Sequence, residues 1–337
     1  MNRILITIAI ASTLSAALSV QAEDKAVKDG TPVVYGKVLL SYGAREQIDS
    51  GTTIKDNWEL RSHASRIGFK GERALSEDLS VTYKFEWEVN YEQDVDSGFS
   101  RRNMYGGFKG SWGELRFGRH DTPMKMTEGP FDQFKDTDAE LKNAGDEDGR
   151  NRLDNILMYM GKTNGYVYQL LISPGEDNAG ATANDGPADT ISAAFGYSDG
   201  PVHVMFAHDR YANGANQSED SLTRIVGVYK FSNMQIGVLI QSGVEAADTA
   251  AAKEDWLGVS FNVKVGSKGK IKAQYIHVED SRSQKLEGSA YAVGYDHSLG
   301  KKTTGYVMYS KLDEDDTSGS TDDYETSFLG IGFIMSF

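Results

Sequence analysis

The chain of 337 residues has no cysteine and only 6 prolines. The first absence excludes disulfides, thiolate metal sites and cysteine nucleophiles. The second, with hydrophobic residues at 39% of the chain, excludes a proline-rich disordered protein. Past the first twenty residues no run approaches the roughly 20 apolar residues that a spanning helix requires, so a helical membrane bundle is excluded too. Positive charge is in deficit: 35 Lys and Arg stand against 49 Asp and Glu, a formal charge of −14. So acidic a chain has no general basic face for nucleic acid, and no nucleic-acid partner is expected.

The first 22 residues differ from the rest. Asn2 and Arg3 make a short positive start, Ile4 to Leu18 is apolar, and Ser19-Val20-Gln21-Ala22 supplies small residues before Glu23-Asp24. This is the pattern of a secretory signal peptide over 1–22, which leaves 23–337 to fold outside the cytoplasm as one domain.

Glycine, aromatics and period-2 alternation dominate that remainder. Along Tyr83-Lys84-Phe85-Glu86-Trp87-Glu88-Val89-Asn90-Tyr91, the odd positions are aromatic or apolar and the even ones polar. Successive strand side chains point to opposite faces, so one face is greasy and the other charged. Val34, Val38, Leu40 and Tyr42 alternate in the same way near the start, as do Leu329, Ile331, Phe333, Met335 and Phe337 at the end. Sixteen such segments can be counted. Tight turns near 110–112, 162–164, 198–200, 266–267 and 299–300 alternate with long acidic connections at 174–188, 212–220, 244–253 and 313–323. An even strand count, two-faced strands, and short turns at one end with long loops at the other predict an all-β, sixteen-stranded antiparallel transmembrane β-barrel. Closure is required because an open sheet edge in lipid would leave backbone groups unpaired. Trp58, Trp87, Trp112 and Trp256 fall near predicted strand ends, as an interfacial girdle would place them.

Several motifs carry a family resemblance. They are Val34-Tyr35-Gly36-Lys37, Ser65-Arg66-Ile67-Gly68-Phe69-Lys70-Gly71-Glu72, Phe85-Glu86-Trp87-Glu88, Gly113-Glu114-Leu115-Arg116-Phe117-Gly118-Arg119 with Asp121-Thr122-Pro123, Asn151-Arg152-Leu153-Asp154-Asn155, and the terminal Gly332-Phe333-Ile334-Met335-Ser336-Phe337. In this order the chain resembles the Gram-negative trimeric porins, especially those typical of non-enteric proteobacteria. The resemblance implies an outer-membrane homotrimer. It would pass ions and small hydrophilic solutes by diffusion, contact outer-membrane lipid and lipopolysaccharide, and be inserted by the barrel-assembly machinery through its terminal Phe337.

The resemblance also implies a constriction. The connection over 121–149 is long enough to be functional. It holds Glu128, Asp132, Asp136, Asp138 and Glu140, with Phe131 and Phe134 spaced as packing anchors. In porins the third loop folds into the barrel, and an outward loop would have little against which to bury two phenylalanines. The opposing basic wall is expected from Lys37, Arg66, Lys84, Arg102 and Arg152, with Glu88 as a lumenal acid. Lys37 and Arg66 keep lumen parity with outward Val38 and Ile67, and Arg152 precedes an expected outward Leu153. Arg101 competes with Arg102 for its inward slot. Arg66 and Arg152 are expected to face Asp132 and Asp136.

Other chemistry is weaker. His203 and His208 lie five apart, which puts them on opposite faces of a strand, and Asp146-Glu147-Asp148-Gly149 lacks the remaining ligand spacing of a calcium loop. No metal or cofactor is expected. Neither a phosphate loop nor a nucleophile motif occurs in a supporting context, so an enzyme is not expected. The alternative within transport is a solute-specific channel for an oligosaccharide or an anion.

Overall fold

The computed structural model describes residues 29–91, 98–140, 149, 152–174, 186–213, 218–245, 252–280, 286–316 and 323–337. The expected signal peptide and Asp146-Glu147-Asp148 lie outside them. The strands are β1 (Val33–Asp49), β2 (Thr52–Ser62), β3 (Arg66–Ala74), β4 (Leu79–Val89), β5 (Phe99–Gly110), β6 (Gly113–Asp121), β7 (Arg152–Thr163), β8 (Tyr166–Ser173) and β9 (Thr190–Asp199). They continue as β10 (Val202–Asn213), β11 (Ser218–Lys230), β12 (Met234–Glu245), β13 (Ala252–Val265), β14 (Gly269–Asp280), β15 (Leu286–Gly300), β16 (Thr303–Asp316) and β17 (Tyr324–Ser336). A short helix, α1 (Pro123–Thr127), follows β6.

These segments form one antiparallel sheet that closes on itself where β1 pairs with β17 from Lys37↔Ser336 to Asp49↔Tyr324. β2 and β3 are two halves of one crossing: β2 pairs with Leu40–Asp49 of β1, and β3 with Val33–Lys37. The wall therefore has sixteen strand positions. The break falls at His63-Ala64-Ser65, where Ala64 has φ of 49°. Ser65 fills it, its hydroxyl accepting from the Leu39 N–H at 2.9 Å and donating to the Leu39 carbonyl at 3.1 Å. The break shifts the facing by one residue, from even-numbered outward residues in β2 (Trp58, Leu60) to an odd-numbered one in β3 (Phe69), so that Arg61 and Arg66 both face inward.

The barrel is apolar on its outer face. Phe206, Ile225, Ile240, Leu257 and Val293 are exposed, while their alternating neighbours Met205, Val226, Leu239, Trp256 and Ala292 are buried. A lipid-facing wall produces this inversion of a soluble core. Trp256 does not belong to the girdle. It is 2% exposed, packs inside the barrel and donates from its indole nitrogen to Glu254 at 2.5 Å. Its neighbour Leu257 takes the outward slot. Phe337 continues the outward row of Phe333 and Met335, and its N–H donates to the Gly36 carbonyl at 3.1 Å. Its ring lies over Gly36, where a Cβ would stand 2.2 Å from it.

The third loop folds inward. Thr122 caps α1 by accepting from the Lys125 N–H at 3.2 Å. From there four apolar anchors fix the loop along the inner wall. Met126 packs near Ile156, Met158 and Leu171, and Met124 against Ala194, Met205, Ala207 and Leu222. Phe131 sits among Val226, Val228, Leu239, Trp256, Ile276 and Val278; Phe134 sits among Ala292, Tyr306, Met308 and Phe328. Gly258 leaves room for this approach, since a Cβ there would stand 2.7 Å from the Phe131 ring.

Candidate functional site

Beyond Phe134 the loop crosses from the β15–β17 side to β1. Asp136, with φ of 60°, turns its carboxylate onto the wall. Lys37 and Arg66 are directly paired in register on β1 and β3. Two like charges so placed repel each other. Asp136 bridges them, accepting from Lys37 Nζ at 2.8 Å and from an Arg66 guanidinium nitrogen. Burial alone would raise its pKa, but Arg66, Lys37 and Arg102 together hold it well below the usual carboxylate range.

Asp138 makes the second contact. It meets Arg45, Arg61 Nε at 3.2 Å and His63 Nε2 at 3.3 Å. The two loop carboxylates thus straddle the break in the wall, Asp136 on the β3 side and Asp138 on the β2 side. Beside them is a cavity of about 270 Å³ lined by Arg45, Arg61, Asp138, Glu140, Tyr324 and Thr326, among others.

The remaining basic residues follow the wall away from the loop tip. Arg102 is the inward member of its pair, with Nε to Glu86 at 3.0 Å and a terminal nitrogen to Glu88 at 2.5 Å. Glu86 also accepts from Tyr35 at 2.8 Å and meets Lys84 at 3.1 Å. Arg152 does not reach the loop acids. It meets Asp121 at 2.9 Å and donates to Asn103 Oδ1 at 3.0 Å. Leu153 packs inward with Ile156 and Met158, because the left-handed residue Asn155 (φ 55°) shifts parity at the start of β7. Asp132 accepts from the Phe134 N–H at 2.9 Å and so shapes the loop, and fully buried Glu128 meets Lys135 at 2.9 Å. Neither lies on the basic wall.

Sequence reasoning passed over Arg45, Glu59, Arg61, His63, Glu86 and Asp121. Parity was the available signal for Arg45, which shares odd numbering with Lys37, and for Glu86, which lies between Lys84 and Glu88. His203 and His208 do lie on opposite faces, one buried and one outward beside Thr223. Ser41, His63 and Asp138 come together, but serine and carboxylate both meet Nε2 of the imidazole, at 2.7 and 3.3 Å. A hydrolytic triad needs the acid on the other ring nitrogen.

A closed barrel with an apolar exterior, a charged interior and a loop laid inside it is a membrane-spanning pore. A family model described as Gram-negative porin matches residues 7–317, and the chain belongs to that family. It is similar to the major outer membrane protein P.IB of Neisseria meningitidis serogroup B, at 25% identity over 79% of this chain and 80% of that one. Among solved structures it is similar to an anion-selective porin from Comamonas acidovorans, with TM-score 0.74 and 19% identity over 91% and 100% of the two chains. It is also similar to OmpT of Vibrio cholerae in a trimer form, with TM-score 0.65 and 17% identity over 91% and 99%. The protein is an outer-membrane channel for passive diffusion of ions and small hydrophilic solutes.

Proposed function

We propose that the channel is narrowed where the third loop meets β1–β3, and that Asp136 with Lys37 and Arg66 controls charge there. The observation that carries this reading is the loop carboxylate bridging two paired wall cations. Lys84, Arg102, Arg152 and Glu88 extend the charged lining, and Asp138 fixes the loop tip to Arg45 and Arg61. Bases and acids nearly balance in this lining, so ion selectivity is modest and falls as salt shortens the Debye length from ~8 Å at 0.15 M to ~3 Å at 1 M. Glu128 and Asp132 serve the loop's own fold. The active form is a homotrimer, in keeping with the trimer of the Vibrio protein, and Phe337 is the feature read by the insertion machinery. Lipopolysaccharide surrounds the outer rim.

Reversal potential across a salt gradient in a planar bilayer tests this. Arg66→Ser should raise cation preference, most at low salt. Asp136→Asn should move preference toward anions. Asp315→Asn, an equal change on the exposed end of β16, should do much less. A larger shift from the Asp315 control than from the other two would overturn the assignment.

A further inference from the structure

The two ends of the barrel carry opposite charge, most plainly on β13 and β14. At the long-loop end Glu254 and Asp280 are paired in register, and at the short-turn end Lys264 and Lys270 are. Both pairs face the lumen, since Glu254 shares parity with inward Trp256, and Lys270 with inward Lys272 and Gln274. Two further lysines stand on the inward face just before short turns. Lys162 continues the inward row of Met158 on β7, and Lys230 that of Val226 and Val228 on β11. Lys268, Lys301 and Lys302 are exposed in the turns themselves. Among the described residues, Lys162, Lys230, Lys264 and Lys270 form no ion pair. Lys264 donates to the Ser232 carbonyl at 3.5 Å, and Asp296, which faces Lys270 in register, meets Lys272 at 3.3 Å. On the β1–β6 side the same end is neutralised, with Lys109 meeting Glu72 at 3.2 Å and Arg116 meeting Glu114 at 2.7 Å.

The long-loop end is acidic. Asp313 and Glu325 face each other across β16 and β17, with Glu314 and exposed Asp315 and Asp323 close by, and Lys311 meets Asp313 and Glu325. Asp49 and Asp56 are exposed beside the neighbouring β1–β2 turn. In such barrels the short turns are periplasmic and the long loops extracellular, so the outer mouth is negative and the periplasmic mouth positive. Glu254 and Lys264 lie ten residues apart on one strand. That is about 34 Å of antiparallel strand, or roughly 26 Å along the axis at a tilt of ~40°. The separation exceeds the ~10 Å Debye length at 0.1 M salt more than twofold. Each mouth is therefore filled by its own counterions, cations outside and anions at the periplasmic end. Between them lies the narrow point, where acids and bases nearly balance.

We propose that the channel is an ionic rectifier, with Lys162, Lys230, Lys264 and Lys270 forming the positive half of an axial charge pair. This rests on the narrow point described above and adds a direction to conduction. With the outside positive, the field drives cations inward from the acidic mouth and anions outward from the basic one. Both populations move toward the narrow point and accumulate there, so conductance rises. With the polarity reversed, each is drawn back out of its own mouth, the narrow point empties of carriers and conductance falls. At zero voltage the two directions balance, as they must in a passive pore.

Channel current in a planar bilayer with equal salt on both sides tests the idea, read at equal voltages of opposite sign. Ser50→Cys at the β1–β2 turn gives this cysteine-free chain a single thiol. Biotin attached there, with streptavidin added to one chamber, reports which mouth faces that chamber. At 0.1 M salt the current with the outside positive should be about two-fold the larger, and the ratio should approach one at 1 M, where the Debye length is ~3 Å. A ratio of one at 0.1 M, or a larger current with the outside negative, would overturn the proposal. Lys162→Gln, Lys230→Gln, Lys264→Gln and Lys270→Gln combined should bring the low-salt ratio close to one. A second combination, Lys162→Gln, Lys264→Gln, Lys301→Gln and Lys302→Gln, changes exposed side chains alone. It should move the ratio at least half-way to one and leave conductance at 1 M unchanged. A wild-type ratio in either combination would equally overturn the proposal. Failure of the reading at the narrow point would look different, as a zero-current potential under a salt gradient that Arg66→Ser and Asp136→Asn leave unmoved.

Discussion

Asp136 shows how a single carboxylate can hold a loop to a wall. Lys37 and Arg66 repel each other across β1 and β3, and Asp136 relieves both at once. Its native pKa lies below the ordinary 3.8. A group depressed in this way stabilises the docked loop fully above its free value and loses that contribution only as pH falls through the native one. Single-channel current should therefore show no Asp136-dependent change from pH 7 down to about 4, with loosening confined to stronger acid. The comparison is between wild type and Asp136→Asn, which should already be loosened at pH 7. A wild-type transition above pH 4 that Asp136→Asn abolishes would contradict this account.

The third loop is built as an element of two kinds of contact, apolar along most of its length and ionic at its tip. Phe131 is fully buried among inward side chains of β11 to β14. Truncating such a phenylalanine costs about 3–5 kcal/mol, through lost burial and the cavity left behind. The barrel does not depend on it, since its ladders are complete without the loop. Phe131→Ala should thus leave heat-resistant oligomer intact while raising open-channel noise and mean conductance. A loss of folded barrel in place of a noisier channel would show that the loop is part of the folding core. Phe134→Ala should act in the same direction, with less effect on the β11–β14 side.

Closure is the property of the whole molecule. β1 carries partners on both edges, β17 on one and β2 with β3 on the other, so the first and last strands complete the wall together. Phe337 is the final outward residue of that seam, its ring over Gly36 and its backbone exchanging hydrogen bonds with the same glycine. Deleting Phe337, or replacing Gly36 by Val, should leave unassembled protein in the periplasm, measured as loss of heat-modifiable oligomer from the outer-membrane fraction. Normal oligomer yield from both variants at high expression would show that the seam tolerates an open end.

Strand existence, facing and the outward row at the C-terminus were determined by the sequence, because the period of two is local and survives without tertiary help. The long acidic loop with two phenylalanines was also legible, as was the lumen parity of Lys37 and Arg66. Only the folded barrel decided which charges meet. Arg152 pairs with Asp121 and not with the loop, because the left-handed turn at Asn155 shifts the facing of β7 there by one residue. Trp256 reads as a girdle residue until Phe131, 125 positions earlier in the chain, claims it for the interior. Arg101 became an outward charge and Arg102 an inward one through a register shift in the β4–β5 pairing, which no alternation count contains. Partner choice among like charges depends on distances between strands remote in sequence, and those exist only once the sheet has closed.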